Sequence, residues 1–556
     1  MNKKVCSFPI LFALLALLIG TCAVVFPASA QAAPTSTGSI TVSGTVARSY
    51  DAYQIFSANV VDGVGDAKTA TDLAWASDAA RDAVLPVLHS AGMPNSQTTA
   101  QEAAEWLNTD SHLTSALSAQ LARSLQSSAA ESVALNAGTA AELHCGYWLI
   151  VADDGAIAQG EAGTAPIMAL VGGSAVTVKP KAATPKVAKH VLEDGTAAWQ
   201  KAADATVADD LYWRLSATVP AGLAAYDTYA VQFVDTMSAG LDPSKVAAST
   251  HVYVAAGTDG GFDAVAVGKD GRAGTEPAKG WTDITAQCAT KVAVDGKTFT
   301  VRTGDLIAAL GGAEAFTAGA RVVAVYNAPL NSACNHGIAK GNPNEVYLRY
   351  PRSPFADQSG DAGFTRTPSD DACAYTWDLA LTKRGSDGDK PLAGAVLSIA
   401  DDRGRTLSAD GTWDAEGKAT VTTGEDGRVT VSGVDSGKLE VRELKAPKGY
   451  TAFEGTRSVT VKAEGLDVDQ VAAAKPKLTI TAESPLRADS ADGSTGSLEV
   501  SLINAPTGTP PSITTGGFMP STGDMAMYAA AAAAVAGAAL IVVALLVKRG
   551  GGSHKE

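Results

Sequence analysis

The most constraining feature of this chain is a strand pattern in which an apolar face runs into a single polar residue, three times over. Alternate residues of a β-strand share a face. Trp377, Leu379 and Leu381 share one, and the next position on it is Lys383. Leu439 and Val441 lead in the same way to Glu443, and Leu498, Val500 and Leu502 lead to Asn504. One such polar end is ordinary, because a strand end can escape into solvent. Three stripes ending in Lys, Glu and Asn call for a common explanation, since an unpaired Lys or Glu under apolar faces is costly.

The same alternation, punctuated by Asp-Gly turns, fills residues 376–507 and reads as a β-sandwich. Residues 181–375 read mostly as strands between clusters of Asp, Gly, Pro and Asn. Residues 31–180 are mixed: strand-like Ile40–Val42 and Tyr53–Phe56, an Ala-rich helix-prone section over roughly 70–126, then the apolar runs Tyr147–Val151 and Ile167–Val171. The expected fold is therefore mainly β, with three tandem Ig-like β-sandwich domains, the first carrying added helices. Residues 508–518, rich in Thr, Gly, Pro and Ser, read as a flexible linker.

Both ends carry export signals. Lys3 and Lys4, the apolar stretch Ile10–Phe26 and the small residues Ala28-Ser29-Ala30 make a signal peptide over 1–30. Met525–Val547 has no charge and is long enough to cross a ~30 Å hydrocarbon core as a helix. Lys548 and Arg549 follow, so 524–556 read as a transmembrane helix and a basic cytoplasmic tail. Just before it stands Met519-Pro520-Ser521-Thr522-Gly523. This pentapeptide, span and tail resemble the LPXTG-type cell-wall sorting signal of Gram-positive surface proteins, with Met519 in the usual Leu position. The resemblance implies a sortase that cuts after Thr522 and attachment to peptidoglycan. It also implies a secreted, wall-anchored location, with the membrane spanned only by the precursor.

Lys and Arg number 43 against 58 Asp and Glu, a net charge of −15. Such a chain lacks the basic balance that nucleic acid requires, so no nucleic-acid partner is expected. Four cysteines remain beyond the signal peptide, Cys145, Cys288, Cys334 and Cys373, none at metal-ligand spacing. Outside the cell they could form up to two disulfides, with three pairings open. The seven histidines are scattered, and no HExxH, phosphate loop, nucleophile elbow or dinucleotide fingerprint occurs. No metal, no cofactor and no turnover enzyme are expected.

Lys383 followed by Pro391–Ala395, Glu443 opening the run Glu443–Tyr450, and Asn504-Ala505-Pro506 together resemble the C-terminal, collagen-adhesin-B-type isopeptide domain of sortase-assembled pilins. The resemblance implies that the Lys383 amine attacks the Asn504 side-chain amide and ammonia leaves. Glu443 serves as the acid that donates to the amide carbonyl. Apolar burial favours this by lowering the lysine pKa towards a neutral amine.

Upstream, Val187, Lys189 and Val191 alternate, Val231 and Phe233 lead to Asp235, and the runs Tyr326–Asn331 and Asn344–Tyr350 follow. These resemble the central isopeptide-forming domain of pilus shaft proteins, with Lys189 as nucleophile and Asp235 as acid. The family's acceptor position, next on the Val346/Leu348/Tyr350 face, holds Arg352, which has no amide to attack. The expectation is an inactive middle site in which Asp235 is ionised and paired with Arg352, with Lys189 beside it. The alternative is that Asn344 or Asn331 serves as acceptor.

Val176–Lys181 resembles the pilin motif whose lysine attacks the Thr thioester of the next subunit; Lys181 aligns with that lysine, and Lys179 replaces a Tyr. Taken together, these resemblances imply a major (shaft) pilin of a Gram-positive fimbria involved in adhesion, joined from Thr522 to Lys181. Its partners would be identical subunits, pilus-specific and housekeeping sortases, peptidoglycan and a host ligand. The rival is a monomeric sortase-anchored adhesin that binds a host ligand through its N-terminal domain.

Overall fold

In the computed structural model, residues 36–508 are described, apart from 45–47, 66, 110–111, 181–182, 222–223, 294–295, 317 and 409–411. The signal peptide, the sorting motif Met519–Gly523, the apolar span and Lys181 lie outside the described residues. Among those residues no helix is long and apolar enough to cross a membrane.

The chain is mostly β. In the N-terminal region, strands Ser49–Asp62 and Gly146–Ala152 pair antiparallel at the centre of a five-stranded sheet, and Thr37–Val42 holds together a smaller one. The helix-prone section does not form one long helix. It divides into a strand, Lys68–Trp75, and helices Asp78–Ser90, Ala100–Asn108 and Ser115–Gln126. Local chemistry sets the breaks. Gly92 takes φ 109°, in the left-handed region that favours glycine, and Pro94 follows. Thr99 and Glu102 then restart the chain with a reciprocal capping box. The apolar faces of the helices, including Val84, Leu88, Leu121 and Leu125, pack on Ile55, Phe56 and Leu149 of the sheet.

The middle region is a sandwich of two sheets. One contains Lys186–Glu193, Tyr212–Val219, Ala320–Asn327 and His251–Ala256. The other contains Asp370–Tyr375, Asn342–Pro351, Gln232–Met237 and Thr298–Arg302, with Phe364–Arg366 along one edge. The C-terminal region is a second sandwich. Trp377–Gly385 and Ser497–Asn504 run parallel at the centre of a four-stranded sheet, and Val396–Ala400, Gly437–Lys445 and Thr456–Glu464 lie in the facing sheet. The two sandwiches share a polar seam, where the Trp377 indole N–H donates to Asp204 at 2.6 Å and His336 meets Asp378 at 2.6 Å.

Candidate functional site

The three polar stripe ends of the C-terminal sandwich converge. Parallel register sets Lys383 opposite Leu502 and Gly385 opposite Asn504, so Lys383 and Asn504 are diagonal neighbours on the inner face of one sheet. Glu443 reaches them from the facing sheet. Lys383, Glu443 and Asn504 are all buried. Lys383 Nζ stands 3.4 Å from Glu443 Oε1, and the Asn504 amide nitrogen donates to both Glu443 oxygens at 2.9 and 3.0 Å. Phe453 N–H donates to Glu443 at 3.1 Å and fixes the carboxylate from behind. Burial, opposed by Glu443, pulls the Lys383 amine down to about 8. Roughly a tenth of such an amine is neutral at pH 7, and the neutral form is the one that can act as a nucleophile.

In one respect the geometry departs from expectation. Glu443 faces the amide nitrogen of Asn504, not its carbonyl, and Asn504 Oδ1 is buried without a hydrogen-bond partner. A half-turn of the amide would set that orphaned oxygen against the carboxyl. In the arrangement seen, the carboxyl instead lies beside the nitrogen that would depart.

The middle sandwich holds a second buried cluster. Lys189 and Asp235 are fully buried and form a short ion pair. The Tyr326 hydroxyl receives a hydrogen bond from Lys189 Nζ at 2.9 Å and donates to Asp235 Oδ2 at 3.1 Å. Asn344, also fully buried, donates its amide N–H to the same hydroxyl at 2.8 Å. Asp235 Oδ1 and Asn344 Oδ1 have no partner. Burial pulls Lys189 down to about 8 and pushes the Asp235 carboxyl up, each against the attraction of the other. Both shifts favour the neutral amine and the neutral acid. The centre of the Trp213 ring, itself fully buried, lies 5.4 Å from Lys189 Nζ.

Arg352 does not belong to this cluster. Its guanidinium donates to the backbone carbonyls of Asp154 and Ala362, and no ion pair with Asp235 forms. The expected Asp235–Arg352 pair is therefore corrected. Register supplies the reason: Asp235 pairs with Val346 and Met237 with Asn344, which brings the start of Asn342–Pro351 to the acid while Arg352 follows its far end. Asn331 is also remote in function, for it ties a turn through Ala239, Leu241 and Ala333. Tyr326 opens one of the runs that carry the resemblance, but the sequence assigned it no role in the site. Its signal was available, since Val322, Ala324 and Tyr326 alternate on the inner face. Lys179 is exposed. All four cysteines beyond the signal peptide are free thiols, so neither of the two disulfides they could have formed is present.

Residues 378–475 match the SpaA prealbumin-like fold domain family. The chain is 30% identical over 143 residues to the trypsin-resistant surface T6 protein of Streptococcus pyogenes serotype M6, a match spanning 24% of each chain. Among solved structures, the T6 backbone pilin of serotype M6 S. pyogenes gives a TM-score of 0.45 at 16% identity, covering 86% of this chain and all of that one. The major pilin SpaD of Corynebacterium diphtheriae gives 0.41 at 15%, with the same coverage.

Proposed function

We propose that this protein is the shaft subunit of a covalently polymerised cell-surface pilus, stiffened by amide bonds it forms within itself. The observation that carries the reading is the buried cluster Lys383, Glu443 and Asn504. In the proposed step, neutral Lys383 Nζ attacks Asn504 Cγ, a C–N bond forms and the bond to Nδ2 breaks. Glu443 carries the amine's proton to the departing nitrogen, which leaves as ammonia. Folding supplies the proximity that makes so poor an electrophile react. The reaction happens once at its site and turns over no substrate.

Lys383 lies on the first strand of its domain and Asn504 on the last. A pull along the chain would pass through the new bond and bypass the hydrogen bonds of the sheet. Lys189, Asp235 and Asn344 support the same chemistry in the middle domain, with Tyr326 between acid and amide.

Subunits would then be joined by a sortase from Thr522 of one to Lys181 of the next, and the finished fibre attached to peptidoglycan. Blots of wall extracts test this joining. Wild-type cells should give an SDS-resistant ladder of high-mass species, and Lys181→Ala should leave surface monomer only. A single monomer band from wild-type cells would favour the wall-anchored adhesin. A ladder that survives Lys181→Ala but is lost in Lys179→Ala moves the joint to Lys179.

A further inference from the structure

The outward face of the larger middle-domain sheet carries a row of arginines that the amide chemistry does not use. Register sets Arg302 opposite Gln232, Gln232 opposite Arg349, and Arg349 opposite Arg366. Directly opposed residues share a face, and like charges placed there are destabilising. Arg352 adds a fourth guanidinium just beyond the end of the same strand. Of the four, only Arg349 forms an ion pair among the described residues, with Asp361 at 2.8 Å. Arg302 and Arg366 lie over the rings of Phe364 and Tyr347, at 5.2 and 4.9 Å. Arg302 and Arg352 otherwise donate to backbone carbonyls.

Arg349, Arg352, Arg366 and Tyr347 line a cleft of about 380 Å³ together with Ile157 and Gln159 of the N-terminal region, and the Gln159 side-chain oxygen accepts from Arg366 Nη2 at 3.1 Å. The chain as a whole carries a net charge of −15. Cations gathered in a cleft on an acidic protein focus potential and attract anions. Guanidinium forks match carboxylates two bonds at a time.

We propose that this cleft binds an acidic peptide segment of a partner protein. Adjacent strands hold their side chains about 4.8 Å apart, and alternate side chains of an extended peptide recur at about 7 Å, so neighbouring or alternate glutamates can meet the row. A peptide fits better than an acidic saccharide because no aromatic face is left for a sugar ring: Arg366 covers Tyr347, and Phe364 is buried under Arg302.

Fluorescence anisotropy with a labelled hexaglutamate peptide tests the assignment on the purified protein. Saturable binding of hexaglutamate and none of hexaglutamine is expected. Arg349→Gln/Arg366→Gln should weaken it at least about tenfold, with an unchanged melting temperature. Arg366→Gln alone, at an exposed side chain, should weaken it to a lesser degree. Lys279→Gln/Lys418→Gln removes as much charge from exposed sites elsewhere and should leave binding intact. Equal loss in both double variants, or loss in neither, overturns the proposal. Tighter, arginine-dependent binding of oligogalacturonate would overturn it in favour of a saccharide site.

Discussion

In the C-terminal sandwich Glu443 touches the acceptor amide directly, at 2.9 and 3.0 Å from Asn504 Nδ2. In the middle sandwich Asp235, one methylene shorter, is hydrogen-bonded to Lys189 and the Tyr326 hydroxyl, and that hydroxyl carries the contact on to Asn344. The lysines are alike, both buried and both pulled down to about 8. The positions of the partners differ. Lys383 and Asn504 lie in one sheet with the acid opposite, whereas Asp235 and Asn344 share a sheet and Lys189 comes from across the core. Two different placements thus bring the same three groups together, and on the proposed chemistry the shorter acid would reach the amide through the Tyr326 hydroxyl.

The largest expected effect is loss of a bond. Each amide closed removes one ammonia, so the wild-type mass should fall short by about 34 Da, from two bonds of about 17 Da each. Glu443→Ala should restore half of that, Asp235→Ala the other half, and the double variant all of it. A deficit of about 17 Da in wild type that only Glu443→Ala abolishes would leave the middle site unreactive and break the parallel.

Tyr326→Phe separates the sites next. Removing a relay hydroxyl should slow closure of the middle amide by about 10²-fold during refolding and leave the C-terminal amide unaffected. Peptide mapping over a refolding time course reads both rates. Equal rates with and without the hydroxyl would show that Asp235 acts on Asn344 without it.

Acidity should affect the two sites alike. Only the neutral amine attacks, so both closure rates should rise about tenfold per pH unit at low pH and level off near pH 8. In Asn344→Ala and Asn504→Ala the lysines stay free. Their folded value of about 8 lies below the unfolded ~10.4. The unfolded chain then binds more protons between these values, so stability should rise with pH across that window. Below pH 8 the full penalty remains. Thermal melts at stepped pH check the sign; a fall in stability over that window would mean that the buried amines stay charged.

Arg352→Ala should have the smallest effect. Its guanidinium bonds only backbone carbonyls, so a loss of about 1 kcal/mol is expected, with an unchanged mass deficit. A loss nearer 3–5 kcal/mol would point to a buried charge pair.

Much of the C-terminal site is legible in the sequence because each apolar stripe is local: the period of two fixes which residues of one strand share a face, whatever that strand pairs with. Lys383, Glu443 and Asn504 are readable for that reason, as are the alternating Lys189 and Asp235. The division of 70–126 into a strand and three helices was less legible, because an Ala-rich composition favours helix throughout and only Gly92, Pro94 and the Thr99–Glu102 cap mark breaks.

What the sequence alone determined is which side chains point inward and which chemistry they bring. What only the tertiary structure decided is which of them meet. Extending the Val346/Leu348/Tyr350 face forward reaches Arg352, and extending it backward reaches Asn344; both lie on the same stripe, and nothing local chooses between its ends. The antiparallel register of Gln232–Met237 against Asn342–Pro351 makes the choice, placing Asn344 beside the acid and leaving Arg352 past the far end of the strand. Register is set by how two faces bury against the rest of the core, a long-range condition that no single strand contains.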